Sequence, residues 1–453
     1  MENSTALHTF PRGVHPWEGK EFSEACPIQV LPEPEELKIP MAQHIGAACQ
    51  PCVKMRDVVE AGQVVGSAEA FVSAPVFASL GGTVKRLGMS TLPNGRHVSA
   101  VTVAVDLEKA DSAGLFALFC REPEYDLSTF EPGELFNRIR AAGLVGQGGA
   151  AFPTHVKLAK NEKKPIDTLL VNGCECEPYL TADYRTLLEM GGNVLAGARF
   201  AARAVGAKNV VLCIEDNKPE AVQRMRVRVK ALGNASVSVA VMKTKYPQGG
   251  EKQLIYAALG RKVPMGGLPM DVGAAVVNVG TCVSIAMAVL YGKPLTHRVV
   301  TVTGGGIAKP ANLFVPIGTP MKKLVAFCGG LNDGARRVIG GGPMMGFALG
   351  SLDIPVTKGT SGITVLTDEE LQRPIETNCV RCGRCVAVCP MNLIPTRLAM
   401  SPRSKNWELF EKYHPLACVE CGSCAFECPA GVPIVQLIRI GKVELQRQKQ
   451  AKK

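Results

Sequence analysis

Cys379–Pro390 reads CVRCGRCVAVCP, and Cys418–Pro429 reads CVECGSCAFECP. Each run is C-x2-C-x2-C-x3-C followed by proline. Three cysteines spaced by two residues bring three thiolates to one cubane cluster. In two-cluster ferredoxins the fourth cysteine of each run ligates the other cluster. The rule assigns Cys379, Cys382, Cys385 and Cys428 to one cluster. It assigns Cys418, Cys421, Cys424 and Cys389 to the second. Zinc also accepts four thiolates, but usually from two separated Cys-x2-Cys pairs. The small residues Gly383, Gly422, Ser423 and Ala425 suit close wrapping around a cluster. The linker NWELFEKYHPL predicts a helix, making this end of the chain a helix-rich relative of ferredoxin.

Working outward, 453 residues exceed one growing core, so several domains are expected. At 46% hydrophobic and 20% charged the chain reads as globular. Aromatics at 5% argue against a stacking platform for nucleic acid, and no nucleic-acid partner is expected. The formal charge of +11 is uneven. The final stretch holds Arg439, Lys442, Arg447, Lys449, Lys452 and Lys453 against Glu444. Such a tail suits an acidic membrane surface or an acidic ferredoxin, or else a solvated terminus. MENSTALHTFPRG carries no secretory pattern, and cysteines in metal-type clusters fit a reducing, cytoplasmic compartment. VGAAVVNVGTCVSIAMAVLYG, residues 272–292, is uncharged and long enough to span a bilayer. Its β-branched first half, polar middle and final glycine predict instead a buried strand, a turn and a helix.

Upstream, residues 1–125 are β-rich and similar to the barrel-sandwich domains that carry biotin or lipoate. The turn region SAPVFASLGG offers no lysine to modify, so the module is read as structural. Residues 126–296 alternate helix-like and strand-like stretches, as an α/β layer does. ELFNRIRAAGLV predicts a helix with Leu135, Ile139 and Leu144 near one face. RTLLEMGGNVLAGARFAARAVG predicts one long helix, and DTLLVNG and NVVLCIED predict buried strands. Residues 297–365 return to short strands and glycines, and 366–453 form the cluster domain with its basic tail. The fold class is thus multidomain α+β. Cys49 and Cys52 form a C-x-x-C with no second pair and are read as structural.

Clusters relay single electrons. A nicotinamide partner therefore requires a two-electron converter, usually a flavin. GQGGAAFPTHVK, residues 146–157, is a glycine-rich turn before a helix start, which favours a phosphate. Plain turns share that composition. LLVNGCECEPY, residues 169–179, delivers Asn172, Glu175 and Glu177 to the C-terminal end of a short strand, where open α/β sheets collect ligands. A solvated turn is the alternative. If buried, those acids are costly unless they bind something.

These two segments resemble the flavin-binding subunit of respiratory complex I. With YPQGGEKQLIYAALG, VVNVGTCVSIAMAV, GVHPWEGKEFS, PMAQHIGAACQPCVK and GGPMMGFALGSLDIPVTKGTSGI, nearly the whole chain resembles the C subunits of Rnf complexes, membrane-bound ferredoxin:NAD+ oxidoreductases. The resemblance implies a β-grasp-like module of soluble-ligand-binding type at 297–365. It implies FMN, two [4Fe-4S] clusters and NAD(H) as substrate. Gly146, Gly148, Gly149 and Lys157 would hold the FMN phosphate side. Asn172, Glu175 and Cys176 would line the isoalloxazine. Tyr246, Gly249 and Glu251 would lie over flavin and nicotinamide, Asn278 and Thr281 would close the pocket, Phe152 would stack on NADH, and Glu177 would stand at the nucleotide entrance. Cys174 and Gly250 depart from the complex I pattern, where acids are frequent. No nucleophile or general base is implied. Partners would be membrane and iron–sulfur subunits of the complex, with ferredoxin reached indirectly, at the cytoplasmic face. The alternative is a soluble NADH-dependent reductase serving another acceptor such as cobalamin.

Overall fold

A computed structural model describes residues 7–371 and 374–451. Lys452 and Lys453 of the basic tail lie outside them. Strands Glu36–Pro40, His97–Val105, Gly82–Thr91 and Val58–Val59 form one antiparallel sheet. It faces a small sheet of Gln50–Pro51, Val64–Ser67 and Val76–Phe77. Alternate residues Leu37, Ile39, Val101 and Val103 close the core between them, as period-two burial requires. Cys49 is part of that core and Cys52 faces solvent.

The second unit is a four-stranded parallel sheet of Thr168–Gly173, Asn209–Glu215, Val237–Met242 and Ala274–Asn278. Helices Gly191–Val205 and Val279–Tyr291 cover one face, and Glu251–Leu259 covers the other. With both faces covered, the strands read as apolar runs. Gly197 lets the first two helices touch, because a Cβ there would fall 1.7 Å from the Cys282 carbonyl oxygen. The 272–292 segment is the strand and helix expected of it, ended by Gly292 at φ 62°. Among the described residues no helix is long and apolar enough to cross a membrane.

Two sequence expectations need correction. The stretch 185–206 is two helices, Ala182–Glu189 and Gly191–Val205, broken at Met190. The Gly191–Gly192 pair permits the break, and a Cβ on Gly192 would meet the Glu122 carboxylate at 2.1 Å. The helix over 134–145 spans Pro132–Ala141 and stops before Gly143 at φ 62°, so Leu144 lies past its end.

The third unit is a six-stranded sheet centred on His297–Thr303, Ala311–Pro316 and Gly362–Leu366. Its edge strand, Ile28–Val30, comes from the N-terminal arm and runs parallel to Ala311–Pro316. The same arm bridges to Met242 and Tyr246 through His8 and Val14. The fourth unit packs helices Pro395–Arg403, Trp407–Lys412 and Ile434–Ala451 around the cysteine runs.

Candidate electron-transfer site

In the parallel sheet the spatial order is 237–242, 209–215, 168–173, 274–278. The chain moves outward from Thr168–Gly173 in one direction, then crosses back to pair Ala274–Asn278 on its other side. The crevice between those two strands is the topological switch point, where open α/β sheets bind ligands. Asn172 and Asn278 are register partners at its rim.

The glycine-rich loop reaches this rim. The Gln147 N–H donates to Thr281 Oγ1 at 2.9 Å, and the Gln147 side chain donates to Ser284 at 2.6 Å. Gly146 N–H closes the loop on the Phe152 carbonyl. A Cβ on Gly148 would stand 3.3 Å from Asn278 Nδ2, whereas around Gly149, at φ 125°, there is open space. Asn278 caps the helix Val279–Tyr291 by accepting from the Gly280 and Thr281 N–H groups. An amide-rich turn beside a helix start favours an anion such as a phosphate. Opposite, Asn172 donates to the Gly249 carbonyl at 2.8 Å, and the Gly249 N–H donates to Cys176 Sγ at 3.3 Å. Gln248, fully buried beside them, has neither side-chain nitrogen nor oxygen partnered among the described residues. Buried amides need partners, so this pocket fits a polar, anion-bearing ligand such as FMN.

Lys157 lies beside the strand Ala274–Asn278, donating to Val276 O at 3.0 Å and pairing with Glu251 at 2.5 Å. Its charge is thus shared with another predicted site residue. The two acids of GCECEPY have partners within the protein. Glu175 accepts from the Asp183 and Tyr184 N–H groups at 2.7 and 3.0 Å, capping a helix start. Glu177 accepts from Met344 and Met345 at 2.7 and 3.0 Å, and burial raises its pKa. Lys20 donates to the carbonyls of Glu175, Glu177 and Leu180, pinning this turn. Sequence reading passed over Lys20, Gln147, Gln248 and Asp183. Asp183 carried a faint signal, an acid in the first turn of a helix.

The cysteine runs enclose two cavities. Cys379, Cys382, Cys385 and Cys428 line one; Cys389, Cys418, Cys421 and Cys424 line the other. This is the crossed grouping that the spacing rule gives. Among the described residues no three His, Cys, Asp or Glu side chains are placed to hold a single metal ion. Four thiols around a cavity fit a cubane cluster better than one zinc. The second cavity abuts the flavin-type crevice. Tyr246, 1% exposed, donates to the Cys421 carbonyl at 2.5 Å, and Val14, Cys176 and Met344 pack around the pair.

The crevice and the crossed cavities define an electron-transfer flavoprotein of the iron–sulfur class. Family models match as the Nuo51 FMN-binding domain over 139–287 and the RnfC barrel sandwich hybrid domain over 8–108. An SLBB domain matches over 299–348 and a 4Fe-4S dicluster domain over 378–432. The chain is 44% identical to the C subunit of the proton-translocating ferredoxin:NAD(+) oxidoreductase complex of Clostridium ljungdahlii, over 97% of this chain and 94% of that one. It is 42% identical to the Na(+)-translocating counterpart of Acetobacterium woodii, over 97% and 98%. A chain of an NAD+-reducing [NiFe]-hydrogenase is similar at a TM-score of 0.48 and 21% identity, covering 71% of this chain and 62% of that one. The chain belongs to the RnfC family, the C subunits of ion-translocating ferredoxin:NAD+ oxidoreductase complexes. It is an oxidoreductase subunit that carries FMN and two [4Fe-4S] clusters.

Proposed function

We propose that this chain passes electrons between NAD(H) and the other subunits of a membrane-bound, ion-translocating complex, sitting peripherally at the cytoplasmic face. The observation that carries this reading is the Tyr246–Cys421 contact, which joins the crevice to one cysteine quartet at hydrogen-bond distance. FMN, when bound, supplies the conversion between a hydride and single electrons. The chain's own task is positioning. Gly146, Gly148 and Gly149 offer backbone to the phosphate side, and Asn172, Cys176, Gly249, Asn278 and Thr281 frame the ring. Tyr246 and Cys176 exclude water between crevice and cluster. The quartet with Cys421 is proximal, and the quartet with Cys382 is distal. Glu175 holds the start of the next helix and Glu177 ties the turn to the Met344 and Met345 backbone of the third unit, while Lys157 serves the phosphate side and Phe152 and Glu251 the nicotinamide side.

The test is anaerobic purification with iron, sulfide and flavin analysis, then NADH addition under a spectrophotometer. About eight irons, one FMN and rapid bleaching are expected. Iron without flavin, and no response after FMN is supplied, would leave a ferredoxin-like wire.

A further inference from the structure

The two cysteine runs are an internal repeat, and one half serves as the control for the other. Arg381 and Glu420 occupy equivalent positions with the same backbone, each at φ 57°, and Gly383 and Gly422 follow at φ 78° and 85°. Their surroundings differ. In the proximal half Cys421 is 8% exposed, and a Cβ on Gly422 would collide with the Met344 carbonyl at 2.7 Å. Glu420 is held by Arg439 and Lys442 at 2.9 and 2.6 Å. That loop is thus covered by the domains that feed it. In the distal half Cys382 is exposed, and around Gly383 there is open space. Val380 is 65% exposed, against 38% for its counterpart Val419, and Ile375, whose backbone passes Gly431 just beyond the distal Cys428, is 88% exposed.

Charge sharpens the contrast. The exposed Arg381 and Arg384 flank this opening, and Arg12 of the N-terminal arm joins them by donating to the Val386 carbonyl at 3.1 Å. None of the three pairs with a carboxylate among the described residues, whereas nearby Arg403 is neutralised by Glu376. The basic tail is different. Arg439 and Lys442 serve Glu420, Arg447 pairs with Glu444, and Lys449 pairs with Glu411. Arg397, Lys405 and Lys412 are also without a carboxylate among the described residues, but it is at the distal opening that unpaired arginines of the cysteine loop and of the N-terminal arm come together. An apolar centre inside a charged rim is the anatomy of a protein interface.

We infer that the Val380–Arg384 loop, with Ile375 and Arg12, is the docking face for an acidic electron-transfer protein whose own redox centre lies under an acidic rim. This rests on the electron-relay reading above and extends it. One electron passes between the distal cluster and the partner's centre, one gaining what the other loses, with no bond or proton changing hands. Two such events match one nicotinamide.

The test uses full-length holoprotein and a fluorescently labelled acidic plant-type ferredoxin as probe, with binding read by anisotropy across a salt series. R12E, R384E and I375E are compared with K449E on the tail. The expected result is binding weakened about tenfold or more by each of the first three, with a flatter salt slope for the two arginine variants, and no change for K449E. Iron content and NADH bleaching are measured on the same samples. If NADH fails to bleach the parent protein, the relay reading falls. If bleaching is intact but probe binding ignores R12E, R384E and I375E, or follows K449E instead, the docking face alone is wrong. It is equally overturned if these variants only dissociate a dimer in sedimentation or release the protein from anionic vesicles.

Discussion

Asn278 combines several roles in one amide. Its oxygen caps the helix Val279–Tyr291, and its nitrogen donates to Asp183 at 2.6 Å. Burial, with the neighbouring Glu175 charge adding to it, raises the Asp183 pKa. Asn278→Ala removes a cap and leaves that carboxyl without its donor, for a loss of about 2 to 4 kcal/mol. Urea unfolding of the two proteins would measure it. Asn278→Ser keeps a capping oxygen and should recover about 1 kcal/mol. Lys358 makes a different prediction. It is fully buried and donates to the Pro75 and Gly143 carbonyls at 2.6 and 2.7 Å, joining three domains. Two carbonyls suit the two N–H bonds of a neutral amine, and burial pushes the pKa down to about 7. Between that value and the ordinary 10.5, the unfolded chain holds a proton that the folded chain lacks. Stability therefore rises with pH across this window. Lys358→Met lacks this dependence, so the Tm advantage of the parent over the variant should grow from pH 7 to 9.5. A constant difference would mean that Lys358 stays charged when folded.

Among elements, the loop from Gly341 to Gly346 shows how domains share a site. Its Met344 and Met345 N–H groups rest on Glu177, and its backbone lies over Gly422. Glu177→Ala should loosen this cover and quicken the bleaching of the proximal cluster in air, with the distal cluster less affected. Equal rates in both proteins would show that the loop does not shield the cluster. The role of Glu177 was only partly legible in sequence. GCECEPY offered either ligand-facing acids or a solvated turn, but what Glu177 holds is backbone N–H far along the chain, which no local pattern encodes. The 272–292 strand and helix were legible because β-branching, polarity and a terminal glycine agree. The break at Met190 was not, since helical periodicity continues through the Gly–Gly pair. Nor was the Ile28–Val30 strand, three residues long and paired with a partner nearly three hundred positions away.

For the whole molecule, the cysteine spacing alone foretold the crossed cavities, because ligation fixes geometry more tightly than propensity does. What it could not show is which cavity abuts the crevice of the parallel sheet; that follows from Tyr246 meeting Cys421. The two fourth ligands now separate. Cys428 lies in the proximal run but lines the distal cavity, and Cys389 does the reverse. Cys428→Ser should therefore remove the distal cluster, leaving about four irons. FMN and NADH bleaching of the proximal cluster should survive, while electron transfer onward from the distal side stops. Cys389→Ser should leave a similar iron count but interrupt transfer at the first step, so NADH reduces the flavin and little else. Low-temperature EPR of the NADH-treated variants distinguishes the cases. A proximal signal that disappears in Cys428→Ser and persists in Cys389→Ser would mean that each run ligates its own cluster, and the assigned order of electron flow would have to be redrawn.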